Sequence, residues 1–187
     1  LGEKTGIDLP NEKNGFLPTS EWKKKAKGEP WYIGDTYHVS VGQGDLLVTP
    51  LQMLRATAVV ANGGKLLRPQ MVKKITDREG VTVEEFGPDI ERENFISSEI
   101  IKTVQRGMRM AITDGSARNL NDLPVPIAGK TGTAQFLDNQ KTHAWFEAYA
   151  PYDNPQIAII VLIEGGGGGH EIAAPVAKDI LNYYFTR

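Results

Sequence analysis

The chain has 187 residues, 40% of them hydrophobic and 24% charged, and its formal net charge at pH 7 is −2. This length predicts one domain, or a large piece of one, that can bury a core. The balanced charge argues against nucleic acid as a partner. The absence of cysteine excludes a disulfide framework, a thiolate zinc site and a cysteine nucleophile. The longest apolar run, residues 157–163, is too short to cross a bilayer.

Residues 1–48 are rich in glycine, proline and lysine, which favours a loop-rich surface region. The run Lys23-Lys24-Lys25 beside Trp22 predicts a solvated charged face rather than a binding patch. The chain has no signal peptide and begins without Met, in sequence typical of a folded region. We therefore expect a piece of a longer protein.

A helix is predicted over residues 50–62. Thr49 can cap it, Pro50 suits its first position, and Gln52 completes a capping box. The string Asn62-Gly63-Gly64 predicts its end, because glycine tolerates the left-handed conformation of a C-terminal cap.

A pair of strands is predicted within residues 65–86, with a turn over residues 76–80. A second helix is predicted to begin near Ser97 or Ser98 and to end at Asp114-Gly115. Its predicted buried stripe consists of Ile101, Val104, Met108 and Ala111.

The last third of the chain alternates strand and turn patterns. Strands are predicted over residues 127–135, 143–150 and 156–163, and the last two form an antiparallel hairpin around a turn at residues 151–155. A terminal helix over residues 175–185 would cover one face of this sheet. These elements predict the α+β class, an antiparallel sheet backed by helices. The predicted buried side of the last helix consists of Val176, Ile180 and Tyr184.

Several patterns in the sequence resemble functional motifs but do not satisfy them. Gly129-Lys130-Thr131 ends like a phosphate-binding loop, yet Pro124 stands where that motif requires glycine. Five glycines at residues 165–169 lack the spacing of a phosphate-binding turn and favour a flexible connector. The three histidines show no metal-ligand spacing, and we expect neither a metal nor a cofactor.

The string Lys130-Thr131-Gly132 is the pattern with chemical meaning, because it lies at the start of a strand followed by a hairpin and a helix. A lysine at a cleft supplies positive charge for a carboxylate or a proton relay. Glycine lets a substrate backbone lie against the strand, threonine hydroxyls bind an anionic group, and a strand N–H can stabilise an oxyanion. Penicillin-binding proteins and serine β-lactamases share this K-T-G motif.

Further blocks around K-T-G extend the resemblance over nearly the whole chain. Together, and in this order, they resemble class B penicillin-binding proteins. The blocks are Thr5-Gly6-Ile7-Asp8-Leu9-Pro10, Leu17-Pro18-Thr19 with Glu21-Trp22-Lys23, Ser40-Val41-Gly42-Gln43-Gly44, Val48-Thr49-Pro50-Leu51-Gln52, Gly129-Lys130-Thr131-Gly132-Thr133-Ala134-Gln135, His143-Ala144-Trp145-Phe146 and Tyr149-Ala150-Pro151.

The resemblance implies a fold in which an active-site groove lies between helices and an antiparallel sheet. It implies a serine acyl transfer that cross-links peptidoglycan stem peptides, and that β-lactams imitate. Lys130 would be catalytic, in the proton-transfer and electrostatic network. Thr131 and Thr133 would bind the terminal carboxylate, Gly132 would leave room for the ligand, and the Thr133 N–H would form half of the oxyanion hole.

The other two motifs of the family, S-x-x-K and S-x-N, have no convincing match. Ser20-Glu21-Trp22-Lys23 has the first spacing, but it follows the Gly-Ile-Asp-Leu-Pro block, whereas the nucleophile of the family precedes that block. We therefore expect residues 1–187 to be a partial transpeptidase domain, inactive alone, whose nucleophile, base and membrane anchor lie in sequence outside this chain.

The resemblance also implies a location in the periplasm or at the outer face of the cytoplasmic membrane, in the cell-elongation machinery. Two other functions stay open from the residues alone, a serine β-lactamase and a non-catalytic penicillin-sensing module. A missing partner segment is expected to expose apolar surface on the helix at residues 50–62, which predicts either self-association of the chain or binding of a second chain.

Overall fold

The central sheet has three antiparallel strands, Ala128–Phe136, Lys141–Ala150 and Ile157–Ile163, which pair in chain order as the sequence predicts. The computed structural model describes residues 1–136 and 141–187. In chain order its elements are α1 (Ser20–Lys27), α2 (Ile33–Ser40), α3 (Pro50–Ala61), β1 (Leu66–Leu67), β2 (Lys74–Thr76), β3 (Thr82–Glu85), β4 (Ile90–Arg92), α4 (Ser98–Thr113), β5 (Ala128–Phe136), β6 (Lys141–Ala150), β7 (Ile157–Ile163) and α5 (Ala174–Thr186). A 3₁₀ turn, Arg118–Leu120, precedes β5, and a π-helical turn, Gly169–Ala173, precedes α5.

Helix α3 begins as its sequence predicts. The Thr49 hydroxyl accepts a hydrogen bond from the Gln52 N–H, and the Gln52 side chain accepts one from the Thr49 N–H. This reciprocal pair satisfies two backbone donors at the helix start. The Gln52 amide also donates to the carbonyls of Glu3 and Asn14, so the cap ties the N-terminal segment to the helix.

Replacing Thr49 with alanine is expected to lower the free energy of unfolding by about 1 kcal/mol, because the first turn loses its side-chain acceptor. Serine at the same position keeps the oxygen, so Thr49→Ser is the matched control and should lie close to the wild type. Urea unfolding measures both. Equal stability of the alanine and serine variants would contradict the capping role.

The prediction of an exposed apolar surface on the helix at residues 50–62 is wrong. Helix α3 packs against β6, β7, β1 and α4, and none of its large hydrophobic side chains is exposed. A cluster of exposed hydrophobic residues lies instead on and beside α2. Its members are Tyr32, Ile33, Tyr37, Val41 and Leu47.

The first 48 residues contain more helix than their composition predicts, since α1 and α2 both form there. The prediction that Lys23-Lys24-Lys25 is a solvated run is wrong for Lys23. This lysine is buried, and its Nζ lies 2.7 Å from Asp35 Oδ2. Trp22 meets the Phe16 ring edge-on, at 4.8 Å between ring centres. The region is therefore fixed by specific side-chain contacts, which glycine and proline content cannot reveal.

The predicted hairpin within residues 65–86 exists, with β2 and β3 antiparallel and exposed. A second small pair, β1 with β4, encloses it and was not predicted from the sequence. These strands are only two and three residues long, so they carry too little side-chain periodicity to be recognised.

The main core lies between the sheet and α5. Helix α5 covers the sheet as predicted, but its predicted face is wrong, since Val176 and Ile180 are exposed. Helix α4 begins at its Ser97 cap as predicted, whereas Val104 in its predicted stripe is also exposed. Small residues let the last helix approach the sheet closely, so its buried side does not carry the largest side chains. The buried core residues include Ile112, Leu120, Ile127, Ala144, Phe146, Ala148, Ala174, Ala177 and Leu181.

No helix in the described ranges is long and apolar enough to span a membrane.

Candidate active site

Strand β5 places the K-T-G residues along the edge of the sheet. Lys130 lies opposite Glu147 and Gly132 lies opposite Trp145 in the pairing of β5 with β6. Paired residues project to the same face of an antiparallel sheet. Lys130 is exposed, and its ammonium group donates a hydrogen bond to the Thr131 carbonyl. The lysine is therefore free to turn toward a ligand along this edge.

Thr131 and Thr133 project to the opposite face from Lys130, because side chains alternate along a strand. The Thr131 hydroxyl lies 2.7 Å from the Ser116 hydroxyl, and the Thr133 hydroxyl accepts a hydrogen bond from the Gly169 N–H at 3.3 Å. The Thr133 hydroxyl accepts this bond and can still donate its own proton. The Ser116 and Thr131 hydroxyls share one hydrogen bond, which uses one of their two protons and leaves the other to donate. Both threonine positions therefore retain donor capacity for an anion.

The backbone of Thr133 faces the free edge of the sheet. The Gln43 side-chain amide donates to the Thr133 carbonyl at 3.2 Å, and this amide lies outside the sheet. In an antiparallel strand the N–H and C=O of one residue point the same way, so the Thr133 N–H also points away from β6. The Thr133 N–H is therefore a backbone donor at the free edge of the sheet.

Gly169 packs closely against the backbone of Gly132 next to this edge. A Cβ at Gly169 would lie 2.3 Å from the carbonyl oxygens of Gly132 and Trp145 and 3.0 Å from the Gly132 nitrogen. The prediction of a flexible connector over residues 165–169 is wrong at its end, because Gly169 is buried against β5 and β6. Its contact supports the strand segment that carries Thr133.

His143 has a packing role near the end of the same sheet. Its ring stacks on Phe136 with ring centres 4.0 Å apart, and its Nδ1 accepts a hydrogen bond from the Gly165 N–H at 3.2 Å. These two contacts hold the His143 ring against the sheet.

The Ser20–Lys23 pair does not have the arrangement of a nucleophile and its base. Lys23 forms ion pairs with Asp35 and Glu29 and lies over the Tyr32 ring, 4.7 Å from its centre. The hydrogen bond that the Lys23 ammonium donates to Asp35 raises the pKa of Lys23 above its ordinary value. A lysine held in this way stays protonated, so it is a poor base for Ser20.

The profile of the family described as penicillin binding protein transpeptidase domain matches residues 1–182. The chain belongs to this family. The peptidoglycan D,D-transpeptidase MrdA of Haemophilus influenzae is 38% identical to the chain, over 100% of the chain and 31% of the relative.

Two solved structures of penicillin-binding protein 2 in this family have the same fold. The Pseudomonas aeruginosa protein in complex with WCK 5153 matches with a TM-score of 0.85 and 34% identity, over 100% of this chain and 41% of that one. The complex of the Helicobacter pylori protein with MreC matches with a TM-score of 0.79 and 33% identity, over 98% of this chain and 33% of that one. The chain spans about a third of the length of its curated relative.

The penicillin-binding fold thus positions three of the sequence-predicted site residues, Lys130, Thr131 and Thr133, around one strand edge, with Gly132 between them. Sequence reasoning missed four of their partners. The sequence offers Gln43 only as part of a resembling block. For Ser116, Gly169 and Glu147 no sequence pattern indicates a role at the site, because these residues contact β5 only in the folded protein. Their positions relative to the K-T-G strand are therefore findings of the structure.

Proposed function

We propose that the chain is the C-terminal part of the transpeptidase domain of a peptidoglycan D,D-transpeptidase, which cross-links stem peptides by serine acyl transfer and binds β-lactams. The observation that carries the proposal is the free edge of β5, where an exposed lysine, two threonine hydroxyls and an outward backbone N–H occur within four residues. Family membership over residues 1–182 supports this reaction over a serine β-lactamase or a sensing module.

Lys130 supplies the positive charge of the site. Its cation attracts the terminal carboxylate of the stem peptide, or the carboxylate of a penicillin, and joins the hydrogen-bond network through which the serine proton leaves. Such a charge is effective because it is already in place when the reaction begins. The exposure of Lys130 on β5 supports this role.

Thr131 and Thr133 hold the same carboxylate by hydroxyl donation. The support is their spacing, since residues two apart on a strand face the same side. Ser116 and the Gly169 N–H orient the two hydroxyls from behind. The Thr133 N–H then donates to the oxyanion that forms when the serine attacks the D-alanyl-D-alanine carbonyl, and Gly132 leaves space for the peptide backbone.

The nucleophilic serine and its lysine base belong to a segment outside these 187 residues. A general base must lie within hydrogen-bond reach of its nucleophile, and Ser20 with Lys23 does not offer that arrangement. We assign the site to the outer side of the cytoplasmic membrane, where stem peptides are cross-linked, in a membrane-anchored protein of the cell-elongation machinery. The complex of the Helicobacter pylori relative with MreC supports this assignment.

Fluorescent penicillin tests the proposal. We expect covalent labelling of a longer protein that joins this chain to the preceding part of its transpeptidase domain, and no labelling of the chain alone. The same longer protein should release D-alanine from a stem peptide when an amine acceptor is present. Absence of both labelling and D-alanine release from the longer protein would overturn the proposal.

A further inference from the structure

Glu147 is a half-buried carboxyl group on the active-site sheet. It lies in the middle of β6 with its side chain toward Thr57 of α3, on the face opposite to the one that carries the buried Phe146 and Ala148. It pairs with Lys130 across β5 and with Ile160 across β7. A carboxyl group that is partly withdrawn from water needs polar or charged partners, so the groups around Glu147 on the lysine side of the sheet matter for its charge.

The partner of Glu147 from the helix layer is Thr57 on α3. The buried Thr57 hydroxyl lies 3.0 Å from Glu147 Oε2 and 3.1 Å from the Met53 carbonyl oxygen. A hydroxyl has one proton to donate and also accepts. When Glu147 is ionised, that proton can point to the carboxylate. When Glu147 is protonated, it can donate to Thr57 while Thr57 donates to Met53, so the pocket accommodates both forms.

Lys130 is the charged neighbour that acts on this carboxyl group. Burial raises the pKa of Glu147, while the Thr57 hydrogen bond and the Lys130 charge lower it in part. The other elements around Glu147 bring no second free charge from the described residues. Arg55 of α3 pairs with Glu91, and Arg109 of α4 donates to the Ile127 carbonyl. Tyr149, on the same face of β6, has a phenol whose pKa is raised by burial, so it stays neutral.

We propose that Glu147 is a positioning residue that sets how strongly Lys130 attracts the carboxylate of the substrate. An ionised Glu147 partly cancels the lysine charge and repels an anionic ligand. A protonated Glu147 leaves the lysine charge unopposed. This inference rests on the proposed function, because it assigns Lys130 to carboxylate attraction.

The sign of the effect follows from these charges. As the pH falls through the raised pKa of Glu147, the carboxyl group loses its charge while the carboxylate of a penicillin stays ionised. The anionic ligand then acylates faster relative to an uncharged ligand of the same shape. A penicillin and its methyl ester form such a pair, and their ratio of rate constants cancels every step that does not depend on the ligand charge.

The experiment measures acylation rate constants for benzylpenicillin and its methyl ester between about pH 5 and about pH 8, in the longer protein that contains the nucleophile. In the wild type we expect the ratio of the acid rate constant to the ester rate constant to rise about fivefold toward low pH. This is the effect expected from removing one charge that acts on the ligand carboxylate through partly screening solvent. In Glu147→Gln the ratio should be high and independent of pH. In Thr57→Val the same rise should occur at higher pH, because the hydrogen bond that lowers the pKa of Glu147 is lost.

Glu85→Gln, on the exposed β3, makes the same charge change elsewhere and should behave as the wild type. A ratio in Glu147→Gln that follows the wild-type pH profile would overturn the inference, and so would an equal response of the ester. If Glu147→Gln does not fold, an unshifted profile in Thr57→Val overturns it instead. Failure of the wild type to react with either ligand would overturn the proposed function itself.

Discussion

Replacing Lys130 with methionine should lower the rate constant of penicillin acylation by about a thousandfold, in the longer protein that carries the nucleophile. Methionine keeps the unbranched shape of the side chain and removes its charge, so the ligand carboxylate loses its cation and the proton network loses a member. The free energy of unfolding should stay within about 0.5 kcal/mol of the wild type, because the Lys130 side chain is exposed.

Lys74 on the exposed β2 provides the matched control for this substitution. Lys74→Met makes the same chemical change away from the K-T-G strand and should leave the acylation rate unchanged. Acylation is measured by stopped-flow fluorescence and unfolding by urea titration. A loss of less than about tenfold in Lys130→Met, which is about 1.4 kcal/mol of transition-state stabilisation, would contradict the proposed role of the lysine.

Adding one methyl group at Gly169 should destabilise the protein by about 3 kcal/mol and weaken penicillin acylation as well. The new Cβ would lie 2.3 Å from the carbonyl oxygens of Gly132 and Trp145. Backbone atoms of two paired strands cannot turn away as the end of a side chain can. The strain must therefore move β5, which carries the Thr133 hydroxyl and N–H, or lift the turn before α5 off the sheet.

The neighbouring glycine provides the control. A Cβ at Gly168 would meet the Glu171 carboxylate at 3.2 Å and the His170 ring at 3.4 Å, which are the movable ends of side chains. Its φ of −80° and ψ of 133° suit alanine. Gly168→Ala should therefore change the free energy of unfolding by less than about 0.5 kcal/mol. Equal free energies of unfolding of the two alanine variants in urea would contradict the expected steric strain at Gly169.

The sequence predicted the elements whose signals are local. The cap of α3 depends on Thr49, Pro50 and Gln52, which are adjacent in the chain, and all three act as predicted. The hairpin of β6 and β7 is predicted because the apolar run at residues 157–163 follows a clear turn at residues 151–155. The K-T-G string lies at the start of the strand before this hairpin, and family resemblance supplies its expected chemistry.

The failures share a different cause, because each depends on residues that meet only after folding. Helix α5 buries Ala177 and Leu181 rather than Val176 and Ile180, since close approach to the sheet favours a side with small residues. The five glycines predict a flexible connector, because nothing in their sequence indicates that a strand contacts Gly169. The sequence predicts Lys23 in solvent, because its partner Asp35 lies twelve residues away on another helix.

In the proposed function this chain supplies the carboxylate-binding and oxyanion-binding edge, while the nucleophile lies outside its 187 residues. Peptide mapping by mass spectrometry, after reaction of the longer protein with benzylpenicillin, tests this division directly. We expect a single penicilloyl adduct on a serine outside residues 1–187, and no adduct on any peptide of this chain. An adduct on Ser20 or Ser116 would contradict it.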